Sequence, residues 1–321
     1  MTVPNVNSVN LTRNFTTVSG LPITIGTGSG TKWQWSKKGR AEEEQDTIHQ
    51  DLVDLLLLAI KNGYNHLDTA EFYSTQPEIG AAIKQSGVDR NDLFVTTKYS
   101  PGFHVFEAVS NGPIECLENA LKDLQTDYID LFLIHAPFFD EKLSKGQTLE
   151  RAWKEMLEIK KSGKVRYIGV SNFAVEHLET VSDISGLRDL YPVVNQIEFH
   201  PYLQEQTPGI IEFAKENNIL LEAYSPLTAI SRVEVDGKSV DHPLKHLLPK
   251  LSEKYDKTPA QILLRYTLQK GLLPITTSAK EERIKQSLEV YQFQIAEEDV
   301  ALIDSEGAKF KQRNFFADKY D

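Results

Sequence analysis

A single cysteine, Cys116, stands in 321 residues, so no disulfide can form within the chain and the reducing cytoplasm is the expected compartment. Long apolar runs are missing too: the longest, such as Leu55–Ile60, fall far short of the ~20 residues of a membrane span. The first ten residues have neither a basic stretch nor an apolar core, so no signal peptide is expected. Positive charge is in deficit, with 35 Lys and Arg against 46 Asp and Glu and a net charge of −11. That balance argues against nucleic acid or an anionic membrane as partner, and an anionic ligand would need a local basic patch. No His-x-His or similar cluster of a metal-dependent hydrolase follows the first strand-like run, so no metal is expected. There is no linker rich in Gly, Pro or Ser and no low-complexity segment. One domain over 1–321 follows, with residues 1–14 read as a flexible tail.

What is present is an alternation. A hairpin is expected first, from Phe15–Val18, a turn at Ser19–Pro22 and Ile23–Ile25. Helical periodicity at about 46–62 precedes a short strand ending at Asp68, then a helix at 76–85 and a strand at 93–98. Further helices are expected at 113–124, 149–162, 175–182, 209–217, 244–255, 259–270 and 281–291. Strands at 128–135, 165–171, 193–199, 220–225 and 272–278 lie among them. The strands are nearly continuous apolar runs, as when both faces are buried. An open doubly wound sheet and a closed β/α barrel both satisfy this pattern. Polar residues recur at strand C-terminal ends (Asp68, Lys98, His135, Ser171, Gln196, Tyr224, Ser278), and only a barrel gathers all such ends on one face. The barrel is favoured. Two stretches read as irregular, Gly26 to Glu44 and Leu227 to His242, and loops this long are more often functional or mobile than idle.

Four residues carry the chemistry: Asp68, Tyr73, Lys98 and His135. Each has a plain reading alone. Asp68 suits a helix N-cap, Tyr73 a surface aromatic, Lys98 a solvated strand end and His135 a satisfied core histidine. Together they form an acid–base set. A phenol with a pKa near 10 is a poor acid at neutral pH unless a cation stabilises its phenolate. Lys98 is such a cation, Asp68 would keep it charged, and His135 can hold a carbonyl oxygen.

The runs Gly63–Ala70, Leu131–Pro137, Gly169–Phe173, Asn195–Pro201 and Ala223–Leu227 resemble the aldo-keto reductase superfamily. The resemblance extends from the hairpin to about Asp304 and implies a (β/α)8 TIM barrel whose bottom the N-terminal hairpin closes. It also implies NADPH as cofactor without a Rossmann domain, and a tetrad of Asp68, Tyr73, Lys98 and His135 with Tyr73 as proton donor. Ser171, Asn172 and Gln196 resemble residues that bind the nicotinamide carboxamide. Tyr224 resembles the ring stacked on it, with a core aromatic as the plain alternative. Ser225 and Leu227 begin the loop over the pyrophosphate. The adenosine end departs from the family pattern: Thr277 stands where a Lys usually meets the 2′-phosphate, while Ser278 and Arg283 remain and suit a phosphate. NADPH is therefore expected over NADH.

Gly26–Trp33 is glycine-rich, but a Rossmann reading is weak because no helix is expected after it and no βαβ unit surrounds it. Its resemblance is to the loop beside the nicotinamide, with Gly30, Thr31, Lys32 and Trp33 as contacts. Further details are similar to the conjugated polyketone and α-keto amide reductases of the family: the Thr-Lys-Trp loop, Thr97–Gly102, His135–Phe139 and Leu273–Ser278. Ala136 follows the histidine where sugar and aldose reductases often carry Trp. The resulting pocket of Trp33, Tyr73, His135, Ala136 and Phe138 suits cyclic vicinal diketones, ketopantoyl lactone or isatin-like compounds. An aldose, xylose or D-arabinose oxidoreductase of the same family is the nearest alternative, and a non-catalytic nucleotide-binding regulatory barrel a remoter one. The partner expected is a small carbonyl compound, and the assembly a monomer or weak dimer.

Overall fold

The computed structural model describes residues 9–102, 105–186, 191–235 and 238–321. Eight short parallel strands run in chain order: β1 (Gly26–Gly28), β2 (His66–Asp68), β3 (Phe94–Tyr99), β4 (Ile129–Ile134), β5 (Val165–Ser171), β6 (Val194–Glu198), β7 (Leu220–Tyr224) and β8 (Leu273–Thr276). Each pairs with its successor, and β8 returns to β1 through Gly26↔Ile275 and Thr27↔Thr276, so the sheet closes. Helices connect the strands on the outside, giving the expected (β/α)8 barrel. None of the described helices is long and apolar enough to cross a membrane.

Local chemistry explains the outer helices. Leu149–Ser162 starts where the Thr148 side chain accepts from the Arg151 N–H and buries Ala152, Trp153, Met156 and Ile159 on one stripe. It stops at Gly163, whose φ of 77° suits glycine. Pro259–Gln269 opens with a capping box between Thr258 and Gln261.

The stretch from Gly26 to Glu44 differs from the expectation of a long irregular loop. It holds β1 and a helix at Lys32–Lys38, so a helix does open after the glycine-rich run. The Rossmann reading fails on other ground, since β1 is a strand of a closed barrel. Two of its three residues are glycine, and one of them, Gly26, is closely packed. A Cβ on Gly26 would lie 2.4 Å from Ile275 Cδ1 and 3.1 Å from His66 Nδ1. Closing the barrel thus favours at Gly26 a residue that helps hide the strand from a search for apolar runs. The second irregular stretch contains a short helix, Thr228–Ser231, and a two-residue pairing of Glu234–Val235 with Lys238–Ser239.

At the strand-start end the hairpin is reduced to one bridge, Thr16↔Pro22. Phe15 packs edge-on against Tyr167 at 4.7 Å. Arg166 binds the Thr16 carbonyl (3.0 Å) while pairing with Asp130 (2.6 Å). This ties the segment across the bottom of the barrel. Residues 1–8 of the expected tail lie outside the described residues.

Side chains two apart on a strand share a face. His66 and Asp68 of β2, Thr96 and Lys98 of β3, Gln196 of β6 and Glu222 of β7 all meet inside the barrel.

Candidate active site

The site begins with a buried ion pair. Lys98, fully buried on β3, places Nζ 2.7 and 2.8 Å from the two Asp68 oxygens and 2.9 Å from the Thr69 carbonyl. The registers Gly28↔Asp68 and Asp68↔Thr96 set Asp68 beside both neighbouring strands at the top of β2. A short helical turn at Glu71–Tyr73 then carries Tyr73 back over the barrel mouth, with Lys98 Nζ 5.4 Å from its ring centroid. Gly30 makes room for that ring: a Cβ there would lie 2.8 Å from Tyr73 Cε2.

His135, just past β4, closes the set. Its Nε2 lies 3.2 Å from the Tyr73 hydroxyl and its Nδ1 2.9 Å from the Ser100 hydroxyl. Burial, with a smaller contribution from the Lys98 charge, holds the imidazole well below its ordinary pKa. The ring is therefore neutral at pH 7, and one nitrogen donates while the other accepts. Ser100 escaped the sequence reading because it lies beyond the apolar run that marks Lys98.

The lowering of the phenol pKa expected from Lys98 does not dominate, and the net shift is upward. Burial raises it, and the Asp68 charge raises it further. Burial outweighs the nearby ammonium, so the phenol stays protonated.

A cavity of about 1010 Å3 runs from this set toward β8. Of the expected cofactor contacts, Gly30, Thr31, Asp68, Ser171, Asn172, Gln196, Tyr224, Ser225, Leu227, Thr277, Ser278 and Arg283 line it. Their orientation is enforced by hydrogen bonds. Asn172, at φ 63°, donates to the His135 carbonyl (2.9 Å) and accepts the Tyr224 hydroxyl (2.7 Å). The Ser171 hydroxyl donates to the Gln196 carbonyl (2.7 Å).

Lys98 lies beneath the cavity lining, and four of the expected cofactor and pocket residues do not line it either. Lys32 is exposed, its ammonium 4.7 Å from the Trp33 ring centroid. Trp33 is buried against His49, its indole N–H reaching Thr277 at 3.4 Å. Residues two apart on a helix project about 200° apart, so the unexpected helix turns Trp33 inward and sends Trp35 to the mouth instead. Ala136 is fully buried. Phe138 supports the wall without forming it, packing against Phe316 (5.3 Å) and Tyr320 (5.5 Å).

Residues that the sequence reading missed complete the lining. Trp35, Phe72 and Phe106 cluster at one side of the mouth, with ring centroids 5.7 to 6.3 Å apart. From the C-terminal segment, Phe315 meets Tyr224 edge-on at 5.4 Å. Arg232 lies 5.5 Å from the Phe315 ring and also faces the cavity. The one signal for Phe315 was the dipeptide Phe315-Phe316 after the last periodic helix.

A closed parallel barrel with a buried lysine, carboxylate, phenol and imidazole at its strand ends, beside an elongated cavity, defines a class of enzyme acting on carbonyls. The model of the Aldo/keto reductase family matches residues 22–307, and the chain belongs to that family and is an oxidoreductase. It is 40% identical to the NADPH-dependent alpha-keto amide reductase of Saccharomyces cerevisiae over 93% of this chain and 91% of that one. Glyoxal reductase of Bacillus subtilis is 34% identical over 89% of this chain and 94% of its own length. Among solved structures, a Bombyx mori aldo-keto reductase in complex with NADP superposes with a TM-score of 0.76 at 28% identity, covering 97% of this chain and 98% of that one.

Proposed function

We propose that the protein reduces small carbonyl compounds with NADPH, Tyr73 donating the proton. The substrates are conjugated polyketones, cyclic vicinal diketones, ketopantoyl lactone or α-keto amides. The reading is carried by the contact of the Tyr73 hydroxyl with the neutral His135 imidazole beside the Lys98–Asp68 pair. The residues present fit the cofactor. Arg283 and Ser278 offer a guanidinium and a hydroxyl to a phosphate at one end of the cavity. At the other end the Gln196 carbonyl Oε1 accepts no hydrogen bond among the described residues. Bound NADPH supplies hydride to the carbonyl carbon.

The chain does the rest. Tyr73 and His135 both reach the carbonyl oxygen, and the phenol, kept protonated by burial, gives up its proton as charge develops there. The phenolate left behind lies near the Lys98 ammonium, which stabilises it in a dry site. Two observations support adjacent carbonyls on a flat frame. The aromatic group of Trp35, Phe72 and Phe106 offers faces to conjugated substrates, and the names of the two relatives above denote reduction of compounds with neighbouring carbonyls.

A carbonyl panel run with NADPH and with NADH tests the reading. Vicinal diketones and α-keto amides are expected to be reduced faster than aldoses, and with NADPH preferred. Aldoses reduced as fast as diketones would overturn the substrate class. A failure to oxidise either nucleotide with any carbonyl would favour a regulatory nucleotide-binding barrel.

A further inference from the structure

Glu222 is a fully buried carboxyl that the proposed chemistry does not use. It lies on β7 directly opposite Gln196 of β6 in the strand register. The Gln196 amide nitrogen donates to Asp68 Oδ2 at 2.9 Å and to Glu222 Oε2 at 2.8 Å. An amide NH2 has two hydrogens, and both go to carboxyl groups. We infer that Glu222 is a positioning residue for cofactor binding: it locks the Gln196 amide so that its carbonyl oxygen, not its nitrogen, faces the nicotinamide carboxamide.

The inference rests on the cofactor reading above. Asp68 alone would hold one N–H and leave the second free to be satisfied elsewhere, with the amide free to tilt. Paired carboxyl partners remove that freedom. The orientation so fixed presents an acceptor, and a carboxamide NH2 is the matching donor.

Stability does not account for Glu222. Its Oε1 makes no hydrogen bond and lies 3.8 Å from His66 Nε2, and an unpartnered buried polar atom is destabilising. Burial, followed by the Asp68 charge, pushes the carboxyl up to about 8. It is therefore neutral at pH 7, and no second anion is buried beside Asp68. An apolar residue would pack there at lower cost, but could not hold the amide.

The test compares two ligands by equilibrium binding: NADP+, and its 3-acetylpyridine analogue, in which a methyl ketone replaces the carboxamide and no N–H remains. Glu222→Leu is expected to raise the Kd for NADP+ by about tenfold, the order of one buried hydrogen bond, and for the analogue by less than about twofold. Glu222→Gln, which keeps an oxygen acceptor in place, should bind NADP+ within about twofold of wild type. If Glu222→Leu does not fold, Glu222→Met carries the same comparison. Equal losses for both ligands, no loss for either, or no rescue by glutamine overturns the inference. Binding of neither nucleotide by the wild type overturns the cofactor reading, and this inference with it.

Discussion

Replacing Lys98 by methionine isolates the ion pair on which the site is built. Lys98 and Asp68 are buried together, and the carboxylate's other side-chain partner is Gln196 at 2.9 Å. Removing only the ammonium strands a buried negative charge. Breaking such a pair from one side costs ~3–5 kcal/mol, whereas replacing both partners by well-packed apolar groups is often near neutral. With an unfolding entropy of about 2.1 cal/mol/K per residue, a chain of 321 residues loses roughly 1.5 °C of Tm for each kcal/mol. Lys98→Met should therefore lower Tm by roughly 5–7 °C. Asp68→Leu combined with Lys98→Met should recover at least half of that loss. Differential scanning calorimetry on wild type, both single variants and the double measures the coupling without any need for turnover. Two results would refute the reasoning: a Lys98→Met Tm within about 2 °C of wild type, or a double variant whose loss is the sum of the two single losses.

Tyr73→Phe removes the hydroxyl and keeps the ring, so kcat should fall by about 10²–10⁴-fold while NADPH affinity stays near wild type. Retention of the wild-type rate would remove Tyr73 as donor. Arg283→Ala should weaken NADPH binding far more than NADH binding, and equal losses would reject its contact with the 2′-phosphate. Glu222 titrates near 4.5 when unfolded but at about 8 in the fold. Between those values the unfolded chain ionises while the folded one stays protonated, so stability is lost as pH rises. Glu222→Gln abolishes that loss. Its Tm relative to wild type should climb from about pH 5 to about pH 8 and then level off, and a pH-independent difference would contradict the assignment.

Much of the fold was legible because barrel strands buried on both faces are continuous apolar runs. Asp68, Lys98 and His135 stand out at or next to their ends by contrast with that surrounding. Helix limits such as Leu149–Ser162 and Pro259–Gln269 follow from caps and stops written within a few residues. Local information failed at β1. Gly26 sits tightly against Ile275 and His66, far away in the chain, and with Gly28 it erases the apolar pattern that marks the other strands. The same failure hid the helix Lys32–Lys38 and exchanged Trp33 for Trp35 at the cavity mouth.

Periodicity and strand ends are properties of neighbouring residues, so they pointed to the barrel and to the chemical kinds of side chain at its rim. Closure of the barrel is what buries Tyr73 and keeps its phenol protonated, holds Gln196 between two carboxyls, and lets Phe315 return from the far end of the chain to meet Tyr224. Those contacts join strands and segments distant in sequence. Their geometry follows from closure and register, and no short stretch of chain encodes either.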